Sequence, residues 1–405
     1  MCSMLLGTMR RIWLISAVVI AAGFAPAATA SAASTWVVKG AGWGHGVGMS
    51  AYGAYGYGKH GVSYRKILGH YFRHLKITKL GHEPSVRVLL EKSHSDVAFT
   101  RATSACGRKL KATKTYLAEA HGSGVHLATG SGHTLARCGK SLRARGRGQV
   151  DVKGLGAYRG ALVVTPSGGG VNVINDVPVN AYVRGSVPAE VPASWPRQTL
   201  EAMAVASRSI ALSTDVGGNG FQLYPDTRTQ LYQGIKVESP RSDRAVRRTF
   251  NEVATYHGDV AQTLYFSSSG GITESHFLGG PKVPYLESVK DPYDTYSPLH
   301  RWTMRFSQSE IDAKLGSYVE GSLRKVKANR SSESPRIDSA RLVGTAGTTT
   351  IRGDTLAAAL GLYSRWAFFK RAHAKTAQPG ASMVSFDPDA LATLPLFVTP
   401  ALSSG

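Results

Sequence analysis

Between Gly40 and Gly58 the chain reads GAGWGHGVGMSAYGAYGYG, eight glycines in nineteen residues. Few sequences tolerate that density, because each glycine loses more backbone freedom on folding than any other residue and gives back no side-chain burial. The stretch reads as a loop that allows backbone to approach a neighbour or ligand closely. The next segment has a different pattern: Ile67, Leu68, Tyr71, Phe72 and Leu75 recur at spacings of three and four and predict an amphipathic helix over Ser63–Leu75.

Residues 1–32 have the three parts of a secretory signal peptide. Arg10 and Arg11 precede an apolar run from Ile12 to about Phe24, and two small-x-small triplets end at Ala30 and Ala32. The run is too short to span a bilayer, and no later segment offers a membrane-length apolar stretch, so the expectation is a secreted protein of the extracellular space or cell wall with no stable membrane anchor after cleavage. Cys2 leaves with the signal. Cys106 and Cys138 remain as an even pair in an oxidising compartment, which predicts a disulfide over the alternative of two free buried thiols.

Lys and Arg outnumber Asp and Glu by 48 to 26, a formal +22, and without Arg10 and Arg11 the charge is still +20. Such a field concentrates polyanions. Basic clusters fall at Arg108, Lys109, Lys111 and Lys114, at Arg143, Arg145 and Arg147, and at Arg244, Arg247 and Arg248. Aromatics are not interleaved with them and the protein is exported, so anionic wall polymers are expected as partners and nucleic acid is not.

Along the chain, strand-like segments (Trp36–Lys39, Val86–Leu90, Val97–Thr100, Trp302–Phe306) mix with helical ones and never settle into βαβ repetition. One short helix is predicted from Pro178 to about Gly185. Another comes after Ser194, with Leu200, Met203, Ala204, Ser207, Ile210 and Ala211 on one face, and a third covers Thr355–Leu360. The fold class expected is α+β, mixing helices with antiparallel β structure. The division expected is signal 1–32, a Gly-rich segment and helix 33–80, a main domain 81–374 whose β-rich part is 81–165, and a loosely held tail 375–405.

Glu190 stands out in VPAEVP, where Pro188 and Pro192 restrict the backbone around it. A carboxyl held on such a turn and partly desolvated would have a raised pKa and serve as a general acid; the plain alternative is an exposed turn carboxylate. His45, flanked by glycine, could bond a sugar or relay a proton, or bond backbone as a structural histidine. The SSSGG run at Ser267–Gly271 lacks the Gly-x-Ser-x-Gly elbow of the α/β-hydrolases. No register of the Gly-rich stretch gives a dinucleotide fingerprint, so no cofactor is expected.

Four segments together resemble the stage II sporulation protein D / LytB amidase-enhancer family: GWGHGVGMSAYGA (Gly42–Ala54), NDVPVNAYVRGSVPAEVPASWPRQTLEAMAVASRS (Asn175–Ser209), TQLYQG with YFSSSGGITES, and VPYLESVKDPYD (Val283–Asp294). The resemblance implies a SpoIID-like domain acting on peptidoglycan, with the Gly-rich motif packing back onto it. It implies either a lytic transglycosylase that cleaves glycan strands or a non-catalytic wall-binding module that enhances a partner amidase. Glu190 falls on the family's proposed catalytic glutamate. His45, Ser50, Gln230, Tyr232, Tyr265, Ser267, Ser269 and Gly270 are the candidate substrate contacts, and no second acid is evident near the motifs. Ala51 and Met203 replace glutamines usual in the family, so two amide contacts are expected to be missing. Phe221–Thr229 lacks the His and Cys with which some relatives hold zinc, so no metal is expected there.

Overall fold

A computed structural model describes residues 35–218 and 220–372. The expected signal peptide lies outside the described residues, and so does the tail from 375. The fold is α+β, with helices packed against largely antiparallel sheets.

The largest sheet is antiparallel along its whole path. Its order runs Ser85–His94, Gly170–Pro178, Ala161–Ser167, Leu142–Val152, Asp96–Ala105, Tyr116–His121, Gly124–Thr129, Thr134–Arg137. Its segments alternate β-branched with polar residues, and one face buries Val86, Val88, Phe99, Leu127, Leu142, Val164, Val171 and Val173. Cys106, just beyond the strand Asp96–Ala105, is joined to Cys138 across 32 residues of sequence, as expected. By the chain-entropy model a bridge closing a loop of this length contributes about 3–4 kcal/mol. The double variant Cys106→Ser/Cys138→Ser is expected to lose that much in urea unfolding; an unchanged midpoint would show that the bridge adds no stability.

The Gly40–Gly58 stretch is a loop only in its first half. Gly42, Gly44, Gly46 and Gly48 alternate with other residues and all take φ between +74° and +104°, a path closed to side chains bearing a Cβ. The second half, expected as loop, is helix α1 (Ala51–Lys59). Ser50 caps it, its Oγ accepting from the Gly53 amide at 3.0 Å. Its glycines are there for packing: a Cβ on Gly53 would strike the Tyr71 hydroxyl and the Asp291 carboxylate, and one on Gly58 would strike Thr199. Propensity argued against a helix, and close tertiary approach outweighed it.

Helix α2 (Tyr64–Tyr71) is shorter than expected, because the chain is extended again at Phe72 and His74 takes a left-handed φ of +62°. It still buries Ile67, Leu68 and Tyr71 as its spacing predicts. Helix α3 (Val179–Glu190) runs five residues past its expected end at Gly185. That glycine is not a C-cap; it makes room for Tyr232 and Gly234, which a Cβ would meet at 2.8–2.9 Å. Pro188 is accommodated inside the last turn.

Helix α4 (Arg197–Ser213) starts after Pro196 and crosses the middle of the main core. Leu200, Met203, Val205 and Ile210 are all buried on it, at about 1.5–3 kcal/mol for each large apolar side chain. Helices α5 (Pro240–Arg248), α6 (Gln308–Leu315) and α7 (Gly353–Leu360) come later in the chain.

A second hydrophobic cluster gathers both ends of the described chain. The strand Thr35–Gly40 lies between Trp302–Ser307 and Ala367–Ala372, antiparallel to both. Trp36, Val38, Trp302, Phe306, Ile311, Leu342 and Leu356 fill the cluster. Trp43 touches both clusters, and Met49–Ser50 pairs in parallel with Tyr265–Phe266. The Gly-rich segment therefore packs back on the rest of the fold through main-chain hydrogen bonds.

Candidate functional site

Glu190 is the last residue of α3, and the turn expected there is a helix C-terminus. It has no exposed surface, which corrects both the partly desolvated turn and the exposed carboxylate that the sequence offered. Its Oε1 accepts the Leu231 amide at 2.7 Å, and its Oε2 has no hydrogen-bond partner among the described residues. Burial pushes the carboxyl up to about 8, although the Leu231 amide favours the charged form. At neutral pH the group is a protonated carboxylic acid.

Around it sits a buried polar cluster. Tyr265 donates to Gln230 Oε1 at 2.9 Å, and Gln230 Nε2 donates to Tyr182 Oη at 3.3 Å and to the Ser207 carbonyl at 3.2 Å. Tyr232 stacks on Tyr182 with ring centroids 4.8 Å apart and donates to Asn175 at 2.7 Å. Tyr182 escaped the sequence reading because, within an apolar helical face, it looks like any core aromatic.

Tyr265 ties this cluster to the Gly-rich segment. Its carbonyl accepts from His45 Nε2 at 3.1 Å, while His45 Nδ1 accepts the Val47 amide at 3.1 Å. Both ring nitrogens are thus used on backbone, the structural alternative for this residue. Burial, reinforced by the cations Arg336 and Arg365, lowers His45 to about 3 and keeps the ring neutral.

Ser50, Ser269 and Gly270 converge on one carboxylate, that of Asp294. It accepts from Ser50 Oγ (3.0 Å), Ser268 Oγ (2.9 Å), the Ser269 amide (2.7 Å), the Gly270 amide (2.8 Å) and the His300 ring (2.8 Å). Asp291 lies beside it, accepting from Tyr71 Oη (2.9 Å) and Ser269 Oγ (2.8 Å). Burial, then the neighbouring Asp294, raises Asp291 to about 7. Two acids therefore stand against the serine cluster where the sequence showed none. Both belong to the VKDPYD segment, yet only their long-range partners, about 20 to 240 residues away in sequence, reveal them.

The candidate contacts thus gather into two adjoining clusters, one around Gln230 and Tyr265 and one around Asp294, and most are buried: Ser50, Gln230, Tyr265, Ser267 and Ser269 have no exposed surface. Most of their polar atoms are spent on neighbouring residues, chiefly Asp291, Asp294, Tyr182 and Asn175. Besides Glu190 Oε2, the hydroxyls of Ser186, Ser207 and Ser267 have no partner among the described residues. Buried polar atoms left open in this way are the ones an incoming ligand can satisfy. Ala51 and Met203, where family glutamines were expected, are fully buried in the main core.

The segment that carries Glu190, Gln230 and Tyr232 matches a known family: residues 167–256 fit the model of the stage II sporulation protein. Over these residues the chain is similar to a SpoIID domain. Stage II sporulation protein D of Bacillus subtilis is 27% identical over 209 residues, covering 47% of this chain and 60% of its own length. The amidase enhancer of the same organism is 34% identical over 133 residues, covering 33% and 18%. An uncharacterised protein of Brachyspira hyodysenteriae is 32% identical over 165 residues, covering 40% and 45%. The chain thus spans at most about three fifths of these relatives. The matched residues supply Glu190 and its Leu231 contact, whereas His45, Ser50 and the serine cluster lie outside the match.

Proposed function

We propose that the protein acts on peptidoglycan in the cell wall as a lytic transglycosylase, with Glu190 as its single acid and base. What supports this reading is the fully buried carboxyl, pushed up to about 8 by burial, whose Oε2 has no hydrogen-bond partner among the described residues. In the proposed step Glu190 gives its proton to the glycosidic oxygen, and the bond to the anomeric carbon breaks. The resulting carboxylate then takes the proton of the sugar's own hydroxyl as that oxygen closes onto the same carbon, leaving an anhydro product and a protonated Glu190. Because Glu190 has no exposed surface, a glycan reaches it only after the protein around it opens.

That same burial favours a second reading, a wall-binding module that enhances a partner amidase, and the name of the amidase-enhancer relative points the same way. Incubating the protein with denuded and with intact glycan strands separates the two: soluble anhydro-muramyl products support the enzyme, and binding without release selects the module. A pH profile adds a second check. Since the acid must be protonated, release should hold at neutral pH and fall as pH rises through about 8. A rate still rising at pH 9 would exclude Glu190 as the proton donor.

A further inference from the structure

The first turn of α4 adjoins α5. Helix α5 opens with Pro240 behind the Ser239 cap and buries Ser242, Asp243, Ala245 and Val246. That spacing leaves Arg241, Arg244, Arg247 and Arg248 outward and exposed. Opposite them stand Arg197 and, at the floor, buried Leu200. Between the two helices is a recess of about 200 Å³ lined by Arg197, Leu200, Arg241, Arg244 and Arg248.

Several surface arginines of this protein are paired: Arg101 with Asp151, Arg143 with Asp176, Arg159 and Arg184 with Glu238, Arg228 with Asp226. In the recess only Arg197 has such a partner among the described residues. Arg197 bonds Glu201 at 3.1 Å, and Arg241 is held by the carbonyls of Ser194 and Trp195 at 3.1 and 3.2 Å. Arg244 and Arg248 have no hydrogen bond or ion pair from their side chains among the described residues. Asp243, the one acid of α5, turns inward to Arg184. Four guanidinium groups thus line a concave site beside a single carboxylate that pairs with Arg197, Glu201, and an anion brought from outside would relieve their remaining repulsion.

We infer that this recess is a binding site for the phosphate groups of a phosphodiester-linked polymer. The planar guanidinium fork matches phosphate oxygens two at a time, and the net positive charge exceeds what one carboxylate ligand would neutralise. A polymer fits better than a membrane surface because the only apolar residue of the lining, Leu200, is buried. Phe250, 42% exposed, comes just after α5 but is not part of the lining. The site is independent of Glu190 and of any glycan cleavage.

Binding of a defined-length poly(glycerol phosphate), measured by calorimetry over a series of salt concentrations, tests the inference. Arg244→Gln/Arg248→Gln removes two exposed, unpaired side chains, so the fold is kept, and thermal melting verifies it. Arg145→Gln/Arg147→Gln removes the same charge from the strand Leu142–Val152. The recess variant is expected to bind about tenfold more weakly or worse, with the slope of log affinity against log salt reduced by about 1.5, while the strand variant stays within about twofold of wild type. Equal losses in both variants would reduce the effect to overall charge and overturn the site. Polyglutamate binding as tightly as the phosphate polymer would overturn the ligand class. Stronger, Arg244- and Arg248-dependent binding to phosphatidylglycerol vesicles would transfer the site to the membrane.

Discussion

Glu190→Gln is expected to abolish release of anhydro-muramyl products from purified glycan strands, a loss of about 10²–10⁴-fold, while the protein remains folded. The two halves of this prediction come from the same geometry. Glutamine has the shape of the protonated carboxyl that burial imposes at neutral pH, and its carbonyl oxygen can still accept the Leu231 amide. What it lacks is a proton to give. The variant should also differ from wild type in the pH dependence of stability. A carboxyl raised from its usual range to about 8 costs nothing where both folded and unfolded chains are protonated. It destabilises the fold progressively as pH climbs from about 4.5 to 8, where only the unfolded chain ionises. The glutamine side chain does not titrate, so the variant should equal wild type near pH 4 and exceed it at pH 9 by a few kcal/mol. Undiminished product release would remove Glu190 from the mechanism, whatever the stability shows.

Asp294→Ala is expected to destabilise the protein by about 3–5 kcal/mol in denaturant unfolding. Its carboxylate accepts five donors drawn from three parts of the chain: Ser50, the run Ser268–Gly270, and His300. Without it, two backbone amides and two hydroxyls lose that acceptor inside a site that water does not reach, and each stranded donor costs about 1–3 kcal/mol, less than additively. Asp294→Asn keeps the volume but turns an amide nitrogen toward donors, so it should fall between wild type and alanine. A loss below about 1 kcal/mol for the alanine variant would mean that this carboxylate does not clamp the Gly-rich segment to the serine cluster.

Glu190 and Asp294 also show how differently two acids can be read. The prolines around Glu190, its Glu-x-Pro setting and the family resemblance singled it out, and the match over residues 167–256 covers it. Asp294 lay in a segment that carried the resemblance, but nothing there marked it as an acid of the site. A carboxylate in VKDPYD looks like a turn residue until Ser50, about 240 residues upstream, arrives at 3.0 Å. The helices obeyed the same rule: α2 and α4 were legible in their apolar spacing, whereas α1 was hidden by its glycines.

By itself the sequence determined the mixture of helices and antiparallel strands, the cysteine pairing, the basic surface and the carboxyl on which the proposed chemistry rests. Those features come from local spacing, composition and side-chain type, which act over a few residues or depend on counts. Only the tertiary structure decided that the Gly-rich segment would end in a helix, that Glu190 would be sealed from solvent, and that Asp291 and Asp294 would clamp the serine run. Each of these depends on desolvation and on hydrogen bonds between distant segments, and neither exists until the chain has closed on itself.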